Sequence, residues 1–349
     1  MIRVLLVGAG AMGQAWLEAV RADPGVDLAG VVDLDLAAAR RAAPGLPVGT
    51  DVAALAATTG ADAVIDVTVP VAHHAVTTAA LFAGLPVLGE KPVAGTLAQA
   101  LSLAAAAEAS GRLFMVSQSR RWNPQLFALR AMTAVLGPAG SVSTDFHRAP
   151  HFGGFREKMA QPLLVDMAIH AFDAARFLLA DDPAAVSCQT WNPPWSWYAG
   201  DACAAAVFEM TGGARYVYHG SWCSPGTETS WNGQWRVNAE RGTACWDGDH
   251  DPVGPPVDRP DDRYSGIGGA LRVFAEALES GVPPMGEVHG NVLSLAMVEA
   301  AADSATRGRP VLIDDVLARA HDQAVRDERR GDVRDVLRGW TDVRAALSG

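Results

Sequence analysis

The chain is expected to be an α/β protein: an N-terminal doubly wound parallel sheet, then an α+β domain with a large, mostly antiparallel open sheet. Three observations predict this. From the start to about Ser119, short apolar runs alternate with alanine- and leucine-rich amphipathic stretches, the pattern of a parallel sheet covered on both faces. After Ser119, aromatics, glycines and longer alternating runs replace that rhythm. The first apolar run ends on Gly8-Ala9-Gly10-Ala11-Met12-Gly13, three glycines spaced to let backbone wrap a pyrophosphate.

In the first part, strands are expected at Arg3–Val7, Leu28–Val32, Ala63–Thr68, Pro86–Gly89 and Leu113–Ser117. Between them, helices are expected at Met12–Ala22, Asp35–Ala43, Asp51–Thr58, His73–Ala83 and Thr96–Ser110, all rich in good helix formers. Thr96 is placed to cap the last of these and Gly111 to stop it. In the second part, strands are expected at Ser141–Arg148, Ala184–Thr190, Asp201–Met210, Ala214–Trp222, Gln234–Asn238 and Thr243–Trp246, with a hairpin turn at Thr211-Gly212-Gly213. A strong helix, Leu163–Ala180, interrupts them, and Gly269–Ser280, Asn291–Arg307 and a tail from Asp314 read as further helices. Residues 249–262, dense in Pro and Asp, read as a surface loop. The expected domains are therefore 1–120, which carries the dinucleotide loop, and 121–349, which ends in a helical tail.

With 349 residues, the chain exceeds one ordinary domain and has ample length for buried cores. Its 49% hydrophobic and 19% charged residues exclude disorder. A net charge of −11 argues against nucleic-acid or acidic-membrane partners, because the one basic cluster, Arg326 to Arg330, is interleaved with acids and reads as a solvated helix face. Cys188, Cys203, Cys223 and Cys245 form no C-x-x-C pair, so they read as free thiols of a reducing, cytoplasmic setting. The apolar opening leads straight into glycines and is a strand rather than a signal peptide. No apolar run approaches the roughly 20 residues needed to cross a bilayer.

The glycines divide their work among a tight first turn, close approach of backbone to phosphate, and close packing of helix on strand. The helix behind them turns its first N–H groups toward the anion. Asp33, twenty residues beyond Gly13, closes the second apolar run, where a carboxylate accepts hydrogen bonds from a ribose hydroxyl. It would repel a 2′-phosphate, no Arg follows in Asp33-Leu34-Asp35, and Arg40 and Arg41 lie too far along the helix. NAD is therefore expected over NADP.

Three other groups can do chemistry. Lys91, in Glu90-Lys91-Pro92, ends a strand at the sheet edge where ligands sit, and could stabilise charge developing on a substrate oxygen; taken alone it could equally be a surface lysine. Asp166 and His170 share a helix face at four-residue spacing, with Asp173 near the same stripe. A histidine is the natural proton acceptor near neutral pH, and a neighbouring carboxylate can orient it. The alternative is a polar stripe without a role, but apolar neighbours imply burial, where unpaired charge is costly. No third ligand stands at helical spacing, so no metal is expected. The third group, Thr68-Val69-Pro70-Val71-Ala72-His73-His74, follows a strand and would lie over the cofactor, with one histidine free to pack locally.

Through these residues the chain resembles the Gfo/Idh/MocA family of NAD(P)-dependent oxidoreductases. The likeness runs to about Ile313 and rests on Gly8 to Gly13, Pro70 with His74, Glu90-Lys91-Pro92 and Asp166-x-x-x-His170-x-x-Asp173. It implies a Rossmann domain followed by a domain whose open sheet forms homodimers or homotetramers. It implies that Lys91, Asp166 and His170 are catalytic, His170 or Lys91 taking a hydroxyl proton as hydride leaves the neighbouring carbon. Cofactor contacts carried over are Gly8, Gly10, Ala11, Met12, Gly13, Asp33, Thr68, Pro70, His74, Glu90 and Lys91. Substrate contacts are Lys91, Arg120, Asn123, Asp166 and His170, with Arg120 and Asn123 from Arg120-Arg121-Trp122-Asn123. One departure is Ala160-Gln161-Pro162-Leu163-Leu164-Val165, where many members carry glycines before the Asp. Phe152-Gly153-Gly154-Phe155-Arg156 is expected beside the substrate.

The expected substrate is carbohydrate-like, a sugar, cyclitol or sugar derivative oxidised at a secondary hydroxyl. Trp191, Trp195, Trp197, Trp222, Trp231 and Trp235 could stack on a sugar ring or be buried between subunits. Two other functions remain open: a glycoside-cleaving enzyme that uses bound NAD transiently, and a non-catalytic dinucleotide-binding regulator.

Overall fold

The computed structural model describes residues 1–258 and 263–348. The chain divides into two compact units: Met1–Trp122 with Arg263–Val292 and Ala318–Gly349, and Asn123–Asp262 with Leu293–Leu317. The chain leaves the first unit after Trp122 and later returns to it twice.

The first unit opens with β1 (Ile2–Val7), α1 (Ala11–Ala22), β2 (Val26–Val32), α2 (Leu36–Ala42), β3 (Val48–Gly49) and α3 (Val52–Thr59). Then follow β4 (Ala63–Asp66), α4 (Pro70–Phe82), β5 (Val87–Glu90), α5 (Leu97–Ser110) and β6 (Phe114–Ser117). All neighbouring strands run parallel, in the order β3-β2-β1-β4-β5-β6. The order reverses between β1 and β4, and ligands of such sheets bind at the strands' carboxyl ends beside that reversal. The buried runs of β1, β4, β5 and β6 form the middle layer, as expected for strands covered on both faces. Asp35, Asp51 and Thr96 cap α2, α3 and α5 by accepting backbone N–H groups in their first turns. Two details depart from expectation. The edge strand β3 is only two residues long, too short to show a pattern. And α4 begins at Pro70 rather than His73, because Pro suits the first helical position, where no N–H is required.

The second unit begins with α6 (Pro124–Leu136), a helix absent from the expected elements; Asn123 caps it by accepting from Gln125 N at 2.9 Å. After β7 (Ala139–His147) the expected helix over 163–180 is divided into a wide π-helical turn, Leu163–Ala168, and α7 (Ile169–Leu179). Next come β8 (Pro183–Trp191), β9 (Cys203–Met210), β10 (Arg215–Ser221), β11 (Gln234–Ala239) and β12 (Gly242–Trp246). The chain re-enters the first unit as α8 (Gly266–Ser280), and the boundary falls within α9 (Val288–Arg307) and again within α10 (Ile313–Asp327). Between these two helices β13 (Val311–Leu312) joins the second sheet; α11 (Gly331–Gly339) and α12 (Val343–Leu347) end the chain.

The second sheet has the order β12-β11-β7-β10-β9-β8-β13. It is antiparallel except for the central β7–β10 pair, which is parallel. The hairpin at Thr211-Gly212-Gly213 joins β9 to β10 as expected, with Gly213 at φ +92°. One face packs on α6 and α7. Its centre is Phe172, whose ring lies 4.8 Å from Phe208 and 5.4 Å from Tyr218. In the first unit α8 lies on α1, and Val116 N donates to Gly286 O, so the edge beyond β6 is covered by following chain. The expected 249–262 loop is described only to Asp258; its last four residues lie outside the described residues. Among the described residues, no helix is long and apolar enough to cross a membrane.

Candidate active site

The glycine loop connects β1 to α1, and its three glycines face different constraints. Gly8 adopts φ +107°, and a Cβ there would stand 2.9 Å from Val67 O. A Cβ on Gly13 would stand 2.2 Å from Gly8 O, so the helix rests directly on the loop. At Gly10, the N-cap of α1, a Cβ meets no protein atom within 4 Å. The helix makes its first bond from Gln14 N to Gly10 O, so the N–H groups of Ala11, Met12 and Gly13 precede the helical ladder. The space open at Gly10, next to those N–H groups, leaves room for an anion such as a dinucleotide pyrophosphate to approach them. Asp33 completes the cradle at the end of β2. Its Oδ2 accepts from Ala9 N at 2.7 Å and its Oδ1 from Asp35 N at 2.8 Å, which fixes the carboxylate beside the glycine loop, where such a group can accept from a ribose hydroxyl and would repel a 2′-phosphate.

Beside the loop, the buried Asp66 ends β4 and accepts from Thr68 N, Thr68 Oγ1 and Thr77 Oγ1 at 3.1, 2.7 and 2.9 Å. The Thr68 hydroxyl, expected at the cofactor, thus shapes the β4–α4 turn that carries Pro70. The His73 ring spans from Thr68 O (Nε2, 3.0 Å) to Pro92 O (Nδ1, 2.8 Å), tying this turn to Glu90-Lys91-Pro92. His74, the histidine expected at the cofactor, places its Nε2 2.9 Å from Ser102 Oγ on α5. Consecutive helical residues point about 100° apart, so only one of the pair can face the turn; burial holds the His74 pKa below the usual histidine value, against the opposing pull of Glu328.

Glu90, at the end of β5, is buried, and Trp16 Nε1 on α1 donates to its Oε1 at 2.9 Å. Burial raises its pKa above the usual carboxylate range, opposed by the Trp16 hydrogen bond and the Lys91 charge. Lys91 N donates to Glu90 Oε2 at 3.1 Å, and the Lys91–Pro92 peptide is cis. Lys91 therefore leaves the sheet edge on a loop held from α1, β5 and α4. Arg120 sits half-buried in the turn after β6, also in this unit.

Asp166, His170 and Asn123 belong to the second unit. Asp166 lies in the π-helical turn and His170 in the first turn of α7, so the pair spans the junction of the two helical forms, and π segments of this kind are frequent at functional sites. His170 is buried and Asp166 half-buried. Arg156 Nε donates to Asp166 Oδ2 at 2.6 Å, and its guanidinium lies 5.2 Å and 4.9 Å from the ring centres of Phe152 and Phe155. The structure thus joins the Phe152–Arg156 loop to Asp166. Asp173 has another partner: Ser294 Oγ donates to it at 2.8 Å and in turn accepts from Arg176 Nη1, which anchors α7 to α9. The Asn123 side chain, expected at the substrate, spends its Oδ1 on the α6 cap.

The tryptophans divide. Trp222 and Trp235 are buried in the unit's core, while Trp191, Trp195 and Trp231 are exposed and Trp197 is half-buried with His151 stacked 3.7 Å from it. Sequence reasoning missed Trp16, His73 and Arg156 as organising groups. Each acts through a partner 74, 19 or 10 residues away, a separation no short motif encodes.

Residues 2–118 match the family model described as oxidoreductase family, NAD-binding Rossmann fold, and residues 133–245 match the GFO/IDH/MocA C-terminal domain. The uncharacterized protein y4oX of Sinorhizobium fredii is 28% identical over 347 residues, covering 90% of this chain and 96% of that protein. Inositol 2-dehydrogenase 4 of Saccharopolyspora erythraea is 34% identical over 193 residues, so the match spans 53% of this chain and only 56% of that relative. An Agrobacterium radiobacter oxidoreductase crystallised with NAD+, L-tartaric acid and magnesium superposes with a TM-score of 0.77 at 22% identity, covering 90% of this chain and 99% of that one. With both family domains matched in order along the sequence, the chain belongs to the Gfo/Idh/MocA family of NAD-binding oxidoreductases.

Proposed function

We propose that the protein oxidises a secondary hydroxyl of a sugar, cyclitol or sugar derivative, using Lys91, Asp166 and His170. NAD, when bound, supplies the hydride acceptor. In this reading the His170 imidazole accepts the hydroxyl proton, the Asp166 carboxylate stabilises the resulting cation, and the Lys91 ammonium steadies the substrate oxygen as it becomes a carbonyl. The observation that carries the substrate class is the tie from Asp166 through Arg156 to the aromatic loop at Phe152 and Phe155. Flat aromatic faces beside a carboxylate suit a ring with C–H faces and hydroxyl edges. The partial match to an inositol 2-dehydrogenase supports the same class.

The test is a panel of cyclitols, sugars and nucleotide sugars offered with NAD, read at the reduced-nicotinamide absorbance. Turnover is expected with at least one polyol. His170→Ala should lower kcat by about 10²–10⁴-fold, and Lys91→Ala should abolish turnover while NAD affinity stays nearly intact. NAD binding without reduction by any polyol would overturn the proposal, and glycoside cleavage without net NADH would replace it with transient oxidation and elimination.

A further inference from the structure

Away from this machinery, three side chains converge on the second sheet. Asp145 and His147 lie two residues apart on β7 and so project from the same face. His219 on β10 is the register partner of Asp145 in the parallel β7–β10 pair. One ligand atom from each of the three lies within 4.8 Å of the other two. His219 Nδ1 stands 3.3 Å from Asp145 Oδ1, and the two imidazole rings are 4.9 Å apart, centre to centre. We propose that Asp145, His147 and His219 bind a divalent transition-metal ion, with zinc as the fitting example.

The donor set selects the ion class. Two imidazoles with one carboxylate suit zinc, copper or nickel, whereas magnesium and calcium take oxygen ligands. Tetrahedral zinc bonds of about 2.0–2.1 Å place ligand atoms about 3.3–3.4 Å apart. The carboxylate and the His219 nitrogen already stand at that separation, so an ion replaces the proton they share. The His147 ring closes the remaining distance by side-chain rotation, because its backbone is fixed: His147 N donates to Thr229 Oγ1 at 3.0 Å and Thr229 N to His147 O at 2.9 Å. Trp191 stacks over His219 at 6.3 Å and restricts that ring.

Protonation favours binding as well. Burial and then the neighbouring His219 hold the His147 pKa below the usual histidine value, against the opposite pull of Asp145. A neutral imidazole is the ligating form, so His147 needs no deprotonation near pH 7. Three ligands from one chain leave a coordination position for water, and no ligand from a second copy is required. The sequence offered no motif, because His219 stands 74 residues from Asp145 and meets it only through strand pairing.

The test is equilibrium dialysis of the chelator-washed, full-length protein against zinc chloride with magnesium in excess, the bound metal counted by atomic emission. One zinc per chain is expected. His147→Ala and His219→Ala should each weaken binding at least about tenfold, and cobalt(II) should give visible d–d absorption in the wild type that a triple variant carrying Asp145→Ala, His147→Ala and His219→Ala lacks. All three residues are at least partly exposed, and an unchanged circular-dichroism spectrum and thermal unfolding curve in the variants report that they remain folded. The proposal is overturned if the wild type retains no zinc, if the triple variant retains as much, or if Cys245→Ser alone removes it.

Discussion

Gly10 and Gly13 sit three residues apart in one loop, yet alanine should act on them in opposite ways. At Gly13 the added Cβ would stand 2.2 Å from Gly8 O, where real Cβ contacts almost never fall below 3.0 Å. Gly8 O is a backbone atom and a Cβ is held rigidly by its own backbone, so α1 or the loop must retreat by about 0.8 Å, an overpacking that costs about 1–3 kcal/mol. That corresponds to a fall in Tm of a few degrees to about 10 °C. The same retreat stretches the 2.9 Å bond from Trp16 to Glu90, because Trp16 rides on α1. At Gly10 the backbone has φ −73° and ψ −163°, which alanine adopts without strain, and its Cβ meets no protein atom within 4 Å. Gly10→Ala should therefore keep or slightly raise the Tm, by reducing the freedom of the unfolded chain. Its methyl group instead takes the space where a pyrophosphate approaches the N–H groups, so NAD affinity should fall at least tenfold, about 1.4 kcal/mol. The assays are thermal denaturation followed by circular dichroism and calorimetric titration with NAD. Gly13→Ala should lose both stability and affinity; Gly10→Ala should lose affinity alone. Wild-type NAD affinity in Gly10→Ala, or a wild-type Tm in Gly13→Ala, refutes the account of the loop.

Trp16→Phe removes one donor from the buried Glu90 carboxyl and should cost about 1.5–3 kcal/mol in denaturant unfolding, while raising the Glu90 pKa further; no loss would show that the bond contributes nothing. Asp33→Ser should narrow the preference for NAD over NADP by at least about tenfold, 1.4 kcal/mol, in parallel titrations, since it removes the charge that repels a 2′-phosphate. For His289, burial favours the neutral ring, but its hydrogen bonds to Glu287 and Glu108 outweigh this and raise the pKa above the usual histidine value. A raised folded-state pKa gives stability that is fully present below the unfolded value near 6.5 and is lost as pH rises through the folded one. The Tm deficit of His289→Gln should therefore be largest near pH 6 and shrink as pH rises past that value; a deficit independent of pH would show that the ring's charge plays no part.

Much of the fold could be read from the sequence because its signals are local. In the first unit each strand is a short apolar run and each helix an alanine-rich one, and the glycine loop with Asp33 marks the dinucleotide site. The Asn123-Pro124 start of α6 was also legible, as an N-cap followed by Pro at the first helical position. The likeness of Arg120 to Asn123 to the family's substrate segment masks that signal. Which of His73 and His74 faces the turn depends on the phase of α4, and that phase follows from Pro70 as its first residue. The parallel β7–β10 pairing, the π-helical turn at Asp166 and the Arg156–Asp166 contact depend on chain brought together from a distance or on a local widening of a helix. Hydrophobic periodicity carries no trace of these.

The placement of α11 has a consequence for the order in which the protein matures on the ribosome. The strands of the first sheet are complete once Ser117 has been synthesised, and α5 is buried along almost its whole length. Part of that cover comes from the end of the chain: α11 packs on α5, Arg330 lies over the Phe82 ring, and Trp340 Nε1 donates to Glu108 at 3.1 Å. A nascent chain therefore carries a dinucleotide site with an apolar flank still open to solvent, and closes it only after the entire second unit has been made. Exposed apolar surface of this kind invites aggregation, which makes the interval between α5 and α11 the period in which a chaperone has most to protect.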